Sequence, residues 1–454
     1  MKGGIEGGLV FQRPLNLPLI KGEKWLKHFA EVKVPRFRVL PFIVLIVYLL
    51  PVWLYAQTDT APDGTEGETI VKKDAPKKPW NEFDLGFTTI KPGLGFLYEY
   101  GTFDQDEDSK KQSEIGNYEL KPTFKVRDFR LLLSGQLNTQ RTITWKTGVM
   151  YDGPSRSWFV RETGVTISVP ELWGNIFIGR TKEGFSLNKV MNGYAGWTME
   201  RQMALDVIPI LADGIKWLGW LPKQHLFWNA GAYGDWLSEG QSFSTYKWQL
   251  VARFGYLPIY SPENKTLLHI GTSIRYGEVK DGEIQVRSRP EANTAPYFID
   301  TGKFPSDHST QIGYEVYYSN HSLMLGSEYY VHNFHSPELD NPQFRGGDAV
   351  VSYILTGESR AYSTVSGIYS FVPVAKSVFK GGPGAIEVLL RYSRLNLNSD
   401  LINGGNFWRI TPMVNWYLSP MIRFEVCYGY GTLDRFNLTG ATQFFQSRIQ
   451  FVIL

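Results

Sequence analysis

The sequence predicts an all-β fold, a transmembrane antiparallel β-barrel of about 16 strands. Three observations carry this. Apolar and polar residues alternate at period two from about Leu94 to Leu454. The alternating segments run about 10 to 13 residues, enough for a tilted strand to cross a bilayer and about twice an average soluble strand. One face of each segment is aliphatic and aromatic, while the other holds charges such as Arg275, Arg391, Arg423 and Glu425. Charges are stable only against water, so the polar face is expected to line a wet lumen and the apolar face to meet hydrocarbon. The 454 residues include 28 Phe, 25 Tyr, 14 Trp and 45 Gly, with 20% charged. That composition excludes disorder and a collagen-like repeat. A net charge of +3 without basic clusters gives no nucleic-acid partner. The one cysteine, Cys427, excludes a disulfide framework and a cysteine-ligated zinc, and no cofactor or metal is expected.

Taken in order, residues 1–56 read as an N-terminal extension and export signal. Lys33, Arg36 and Arg38 precede an apolar run from Val39 to Leu54, and the run closes on Leu54-Tyr55-Ala56. It is too short to span a bilayer and is broken by Pro41 and Pro51, which fits a secretory signal cleaved after Ala56 better than an anchor. The long leader before it fits a translation start placed too early, with the true start near Val32 or Val34. Residues 57–82 are polar, without apolar periodicity, and read as a flexible leader. Residues 83–454 are assigned to the barrel.

Met421–Tyr430 shows the alternation most plainly. Ile422, Phe424, Val426, Tyr428 and Tyr430 point one way; Arg423, Glu425, Cys427 and Gly429 point the other. Ile410, Val414 and Trp416 likewise oppose Arg409, Thr411 and Asn415. Ile270, Ile274 and Tyr276 oppose His269, Ser273 and Arg275. Leu325, Tyr329 and Val331 oppose Glu328, Tyr330 and His332. Leu-Ser-Pro at 418–420 and Lys-Asp-Gly at 280–282 supply turn chemistry between segments.

Several ordered stretches resemble the phosphate-selective porin O and P family. They are Phe129–Gly135, Gly179–Leu187 followed by Met199-Glu200-Arg201, Val286–Gly302, Leu355–Arg360, Arg391–Leu395 and Asn415–Pro420. The resemblance covers about Phe83 to the C-terminus. It implies a 16-stranded barrel, a homotrimer in the bacterial outer membrane, and diffusion of small anions such as phosphate or polyphosphate past an inward-folded third loop. Two departures stand out. Gly184 replaces the family's usual proline, and the chain ends in Leu454 rather than an aromatic residue. The apolar run Val207, Ile208, Ile210, Leu211 and Ile215 also makes a constriction unlike a cationic eyelet the expectation.

Strand parity places Arg130, Lys146, Arg253, Arg275, Arg287, Arg289, Arg391, Arg409, Arg423 and Arg448 inward, against Asp128, Asp152, Glu291, Glu315, Glu328, Glu387 and Glu425. Rings of Arg and Lys favour anions, and the Arg287/Arg289 pair suits bidentate phosphate contact. The plainer reading is that most of these charges pair across strands and stiffen the lumen. At the constriction the candidates are Arg180, Lys182, Lys189, Glu200 and Arg201. Two alternatives remain open. One is a barrel enzyme of lipase or protease type built on His332, His335, Ser336 and Asp340, a set with loop spacing and no oxyanion geometry. The other is a plugged structural or receptor barrel. The acidic run Asp104–Asp108 reads as an outer loop where divalent cations would bridge to lipopolysaccharide.

Overall fold

The computed structural model describes residues 79–454 except 238, 242 and 243. The signal sequence and nearly all of the polar leader lie outside the described residues. Among the described residues, sixteen antiparallel strands close into a barrel. They are β1 (Thr89–Gln105), β2 (Thr123–Leu137), β3 (Ile143–Asp152), β4 (Ser157–Val160 continued as Thr163–Val169), β5 (Gly174–Thr181), β6 (Ala212–Leu221), β7 (Leu226–Gly234) and β8 (Tyr246–Ser261). The circuit continues with β9 (Thr266–Val279), β10 (His308–Asn320), β11 (Leu323–Phe334), β12 (Gln343–Ile354), β13 (Ala385–Ser399), β14 (Ile402–Tyr417), β15 (Ile422–Arg435) and β16 (Leu438–Ile453). β16 pairs with β1 from Leu94↔Ile453 to Gln105↔Thr442, so no strand edge is left open.

The predicted alternation sets the faces. Along β15, Phe424, Tyr428 and Tyr430 are exposed on the outer surface while Arg423, Glu425 and Cys427 are buried inside. Phe445 and Ile449 are likewise exposed on β16. An apolar outer surface is what hydrocarbon stabilises, and closure satisfies every ladder hydrogen bond that lipid could not. The wall is uneven. β3 and β5–β7 have 8 to 10 residues each, whereas β8–β16 have 12 to 16.

The two ends differ as well. At one, the loop end, connections include 106–122 with α1 (Glu107–Ile115), the third loop (182–211, with α2 at Leu187–Val190) and the fifth loop (280–307). At the other, the turn end, connections are short except for an insert at 355–384. The third loop, the fifth loop and this insert enter the lumen and pack against the β8–β16 side in two apolar cores. Nearer the loop end, Met203, Leu205 and Val207 of the third loop and Phe298 and Phe304 of the fifth meet inward-facing Phe334, Phe344, Phe407 and Phe444. Nearer the turn end, Met191 and Trp197 of the third loop meet Tyr369 of the insert, Tyr317 and Met413.

The expected wet lumen is therefore wet along one side only. Period two identifies which face a residue occupies; it does not reveal that a loop stands opposite and excludes water there. The apolar run expected to line the constriction is divided. Val207 and Ile208 pack in the loop-end core and, with Ile210, also border the cavity at that end, whereas Leu211 is buried and Ile215 faces outward on β6, 52% exposed. Gly184 shows why the usual proline is missing. A Cβ there would stand 2.5 Å from the Asn229 carbonyl oxygen, so the chain leaves β5 pressed against β7.

Candidate functional site: a passage along one wall

Three cavities follow one another along the β1–β6 side of the lumen. At the loop end a space of about 580 Å³ lies beside Arg127, Arg201, Arg287, Arg289 and Tyr297. It shares Arg127, Glu200 and Arg201 with a neck of about 40 Å³, which also touches Arg130, Asn192 and Gly193. Beyond the neck, a chamber of about 490 Å³ extends toward the turn end past Arg130, Arg161, Lys182, Lys216, Lys146 and Lys91. Together the three are lined by twelve basic and six acidic side chains, and the chamber alone by six basic side chains and one acidic side chain, Glu162.

Local folding delivers these cations. In β2 the register against β1 slips between Leu97↔Asp128 and Tyr98↔Val126, leaving Arg127 as the extra residue of a bulge. In β4 the ladder breaks between Val160 and Thr163, and there Arg161 bonds its backbone N–H to the Gly148 carbonyl at 2.8 Å. Bulges re-aim side chains, and both arginines come to line the passage. Across from them the third loop presents Lys182, whose ammonium donates to the Met191 carbonyl at 2.6 Å, and Arg201, which donates to the Asn188 and Met191 carbonyls at 2.8 and 3.0 Å. Lys216 donates to the Thr181 hydroxyl at 2.7 Å. Among the described residues, Arg161, Lys182, Arg201 and Lys216 form no ion pair with a carboxylate. The cations crowd one another. Burial and, next, the neighbouring Arg201 pull Lys182 well below the usual lysine range, although Glu162 acts in the opposite sense.

The acids of the neck are engaged. Asp128 accepts from Arg130 at 2.5 Å and from the Tyr194 hydroxyl at 2.8 Å, and the Arg130 guanidinium stacks on the Tyr194 ring at 4.4 Å. Glu200 accepts from Arg127 at 3.1 Å and from Arg448. Gly193 keeps the neck clear: a Cβ there would sit 3.6 Å from an Arg201 nitrogen and 4.0 Å from one of Arg130.

Comparison with known proteins decides the family. The model of the family described as phosphate-selective porin O and P matches residues 91–453, the whole barrel but the first two residues of β1. The chain belongs to the phosphate-selective porin O and P family. Solved structures share the architecture of this outer-membrane porin at low identity. Salmonella typhi OmpF, in a complex with daunomycin, is 9% identical with a TM-score of 0.53, covering 82% of this chain and 100% of its own. The outer-membrane channel DcaP of Acinetobacter baumannii is 11% identical with a TM-score of 0.51, covering 82% and 99%. A loop L8 deletion mutant of OmpT from Vibrio cholerae is 12% identical with a TM-score of 0.51, covering 81% and 99%. Such likeness shows the fold alone. An uncharacterized protein of Caulobacter vibrioides is 28% identical over 176 residues, 38% of this chain and 35% of that relative, so the match spans about a third of its length.

Of the basic lumen residues singled out from sequence, Arg130, Lys146, Arg287, Arg289 and Arg448 line the porin's passage. Arg287 and Arg289 do not stand on a barrel strand, however. They belong to the in-folded fifth loop, where both guanidinium groups stack on Tyr297, at 4.2 and 4.3 Å. Arg253, Arg275, Arg391, Arg409 and Arg423 are buried on the opposite wall, each gripping an in-folded segment. Arg253 binds Glu315 at 2.8 Å and the Gly367 carbonyl of the insert at 2.6 Å. Arg275 meets Glu183, where the third loop begins, at 3.2 Å. Arg391 takes the Glu200 carbonyl at 2.9 Å and Glu291 at 2.5 Å; Arg409 takes the Pro290 carbonyl at 2.6 Å; Arg423 takes the Gly196 carbonyl at 2.6 Å. Of the constriction candidates, Arg180 is buried against Asp213 at 2.8 Å, Lys189 borders the loop-end space while paired with Glu183 at 2.8 Å, and Lys182, Glu200 and Arg201 border the passage. The histidines do not converge: His332 is buried inside the barrel, and His335 stacks on His308 at 4.6 Å at the rim. Sequence reasoning misses Arg127, Arg161, Lys91 and Lys216. Lys91 and Lys216 follow the inward parity of their strands, a signal available in the sequence; the bulged arginines break it.

Proposed function

We propose that this porin passes small oxyanions of the phosphate class by passive diffusion along its β1–β6 side. One observation carries the reading: Arg161, Lys182, Arg201 and Lys216 border the neck and chamber without carboxylate partners. A poorly neutralised cation cluster in a narrow lumen repels cations and offsets the hydration an anion loses on entry. Burial and, next, Arg201 pull Lys182 down, and an anion among these groups acts in the opposite sense by stabilising the ammonium. Arg287 and Arg289, with Tyr297 fixing their planes, form an outer capture point ahead of the neck. The clamped arginines of the far wall serve by holding the loops that narrow the passage.

The rest of the assembly follows the same reading. Export with cleavage after Ala56 delivers the barrel to the outer membrane. The short strands β3 and β5–β7 support a homotrimer with that sector turned inward, since strands of 8 to 10 residues tilted near 40° rise about 20 to 25 Å and at most just cover the roughly 25 Å apolar band. Asp104–Asp108 at the loop end would meet lipopolysaccharide through divalent cations. The passage serves diffusion, without covalent chemistry.

The zero-current potential of the purified porin in a planar bilayer under a KCl gradient tests the reading. An anion-selective sign, with phosphate reducing chloride current, is the expected result. A cation-selective or unselective potential from a folded barrel would overturn it.

A further inference from the structure

The chamber on the turn-end side of the neck has a feature that an inorganic ion does not use. Opposite and between its lysines and arginines stand Leu132, Val190, Leu218, Val365 and Ile368, all half-buried and all bordering the cavity. Leu132 and Leu218 hold inward positions on β2 and β6, in line with Arg130 and Lys216. Val190 comes from the third loop, and Val365 and Ile368 come from the insert. Three separate parts of the chain thus bring branched aliphatic side chains to one water-facing space. Each square ångström of such surface left wet costs about 25 cal/mol, so a ligand with an apolar body gains by covering it. Inorganic phosphate offers no apolar surface to cover it.

Size points the same way. At about 490 Å³ the chamber falls within the range of small-molecule sites, which are lined mainly by apolar side chains with a few placed polar groups. The neck, at about 40 Å³, holds little more than one small ion. A molecule that fills the chamber therefore reaches it from the turn end and stops at the neck.

We propose that the turn-end chamber binds organic anions that carry an apolar body, such as aryl or alkyl phosphate esters. The anionic head sits among Arg161, Lys182 and Lys216, and the body covers Leu132, Leu218 and Ile368. This rests on the anion-selective reading of the same passage and adds a substrate class to it. Esters that fill the chamber lodge there and block phosphate flux from the turn-end side.

The experiment compares 4-nitrophenyl phosphate with inorganic phosphate as blockers of chloride current through the full-length porin in a planar bilayer, each added to either compartment in turn. The ester is expected to half-block at about tenfold lower concentration than phosphate, the return for covering part of a ring, and from one side only. The L218N/I368N double variant is expected to erase that advantage while block by phosphate stays unchanged. Should the double variant not assemble, I368N alone gives the same reading, because residue 368 lies in the insert rather than in the barrel ladder. Equal block by the two anions, or an ester advantage that survives either variant, overturns the chamber proposal and leaves the anion pore standing. A cation-selective potential with no block by either anion overturns both.

Discussion

Opposite walls of this barrel both turn basic side chains inward and use them differently. On the β1–β6 side, Arg127, Arg130, Arg161 and Lys216 border open space. On the β8–β16 side, Arg253, Arg275, Arg391, Arg409 and Arg423 are almost wholly buried, each donating to a loop carbonyl or a carboxylate. What stands opposite makes the difference. Where the third and fifth loops and the insert press against the wall, an arginine becomes a clamp whose charge is cancelled locally, by Glu315 for Arg253, by Glu183 for Arg275 and by Glu291 for Arg391. On the other side, among the described residues, Arg161 and Lys216 have no carboxylate partner and their charge is left to act on solutes, whereas Arg127 and Arg130 border the space while paired with Glu200 and Asp128. Counting inward cations therefore overstates the field of the lumen on one side and understates it on the other.

The largest effect is expected from reversing a charge on the open wall. Arg161→Glu places an acid beside Glu162 in a chamber with no other acidic side chain. The anion-to-cation permeability ratio is expected to fall about tenfold, read as a shift of the zero-current potential. Arg409→Gln on the clamped wall, where the guanidinium is spent on the Pro290 carbonyl and Gln446, is expected to move the potential little. Equal shifts from the two variants would erase the distinction between the walls.

Next comes release of a clamp. Arg275→Ala strips Glu183 of an arginine partner at a fully buried site, leaving Lys189 as its counter-charge. Truncating one member of a buried pair costs about 3–5 kcal/mol, and Lys189 offsets part of that. The expected outcome is a lower unfolding midpoint together with higher, noisier conductance, since Glu183 begins the loop that forms the neck. Glu328→Ala acts on the same loop by another route. Its carboxylate accepts from the Ser186 hydroxyl at 2.7 Å, the Asn188 N–H at 3.0 Å and Gln202 at 3.1 Å, tying down the start of α2. Single-channel recording is expected to show larger openings for both variants. A quiet, wild-type conductance would mean that the apolar cores alone hold the third loop.

The barrel itself was readable from period two, because one rule governs every strand: lipid outside, anything else inside. Strand count and closure follow from it; the in-folded third loop comes from the family resemblance instead. The passage was harder to read, for two physical reasons. Arg127 and Arg161 stand at β-bulges, where one extra residue breaks the parity by which inward residues are recognised. And the insert at 355–384 comes from the end where turns are usually short, so nothing local to the sequence announces that Arg360 reaches Glu387 at 2.7 Å or that Gly367 sits beneath Arg253. Parity also grouped Arg287 and Arg289 with wall residues, although they ride on a loop hairpin whose own alternation has the same period.

The smallest effect, and the finest test of where the open wall is narrowest, is expected at Gly193. A methyl group added there would meet only guanidinium nitrogens of Arg201 and Arg130 within 4 Å, at 3.6 to 4.0 Å, so Gly193→Ala fits without a clash. Its backbone is not among those with positive φ, so alanine brings no strain there. Stability is expected to change by no more than about 1 kcal/mol, and conductance to fall modestly as the methyl group enters the neck. Gly193→Asp occupies the same place with a carboxylate in reach of both guanidinium groups. It acts as a permanent internal anion, so chloride conductance and block by phosphate are both expected to fall severalfold below Gly193→Ala, with little further change in the unfolding midpoint. If alanine and aspartate reduce conductance equally, the neck filters by width alone and the cations beside it do not select the solute.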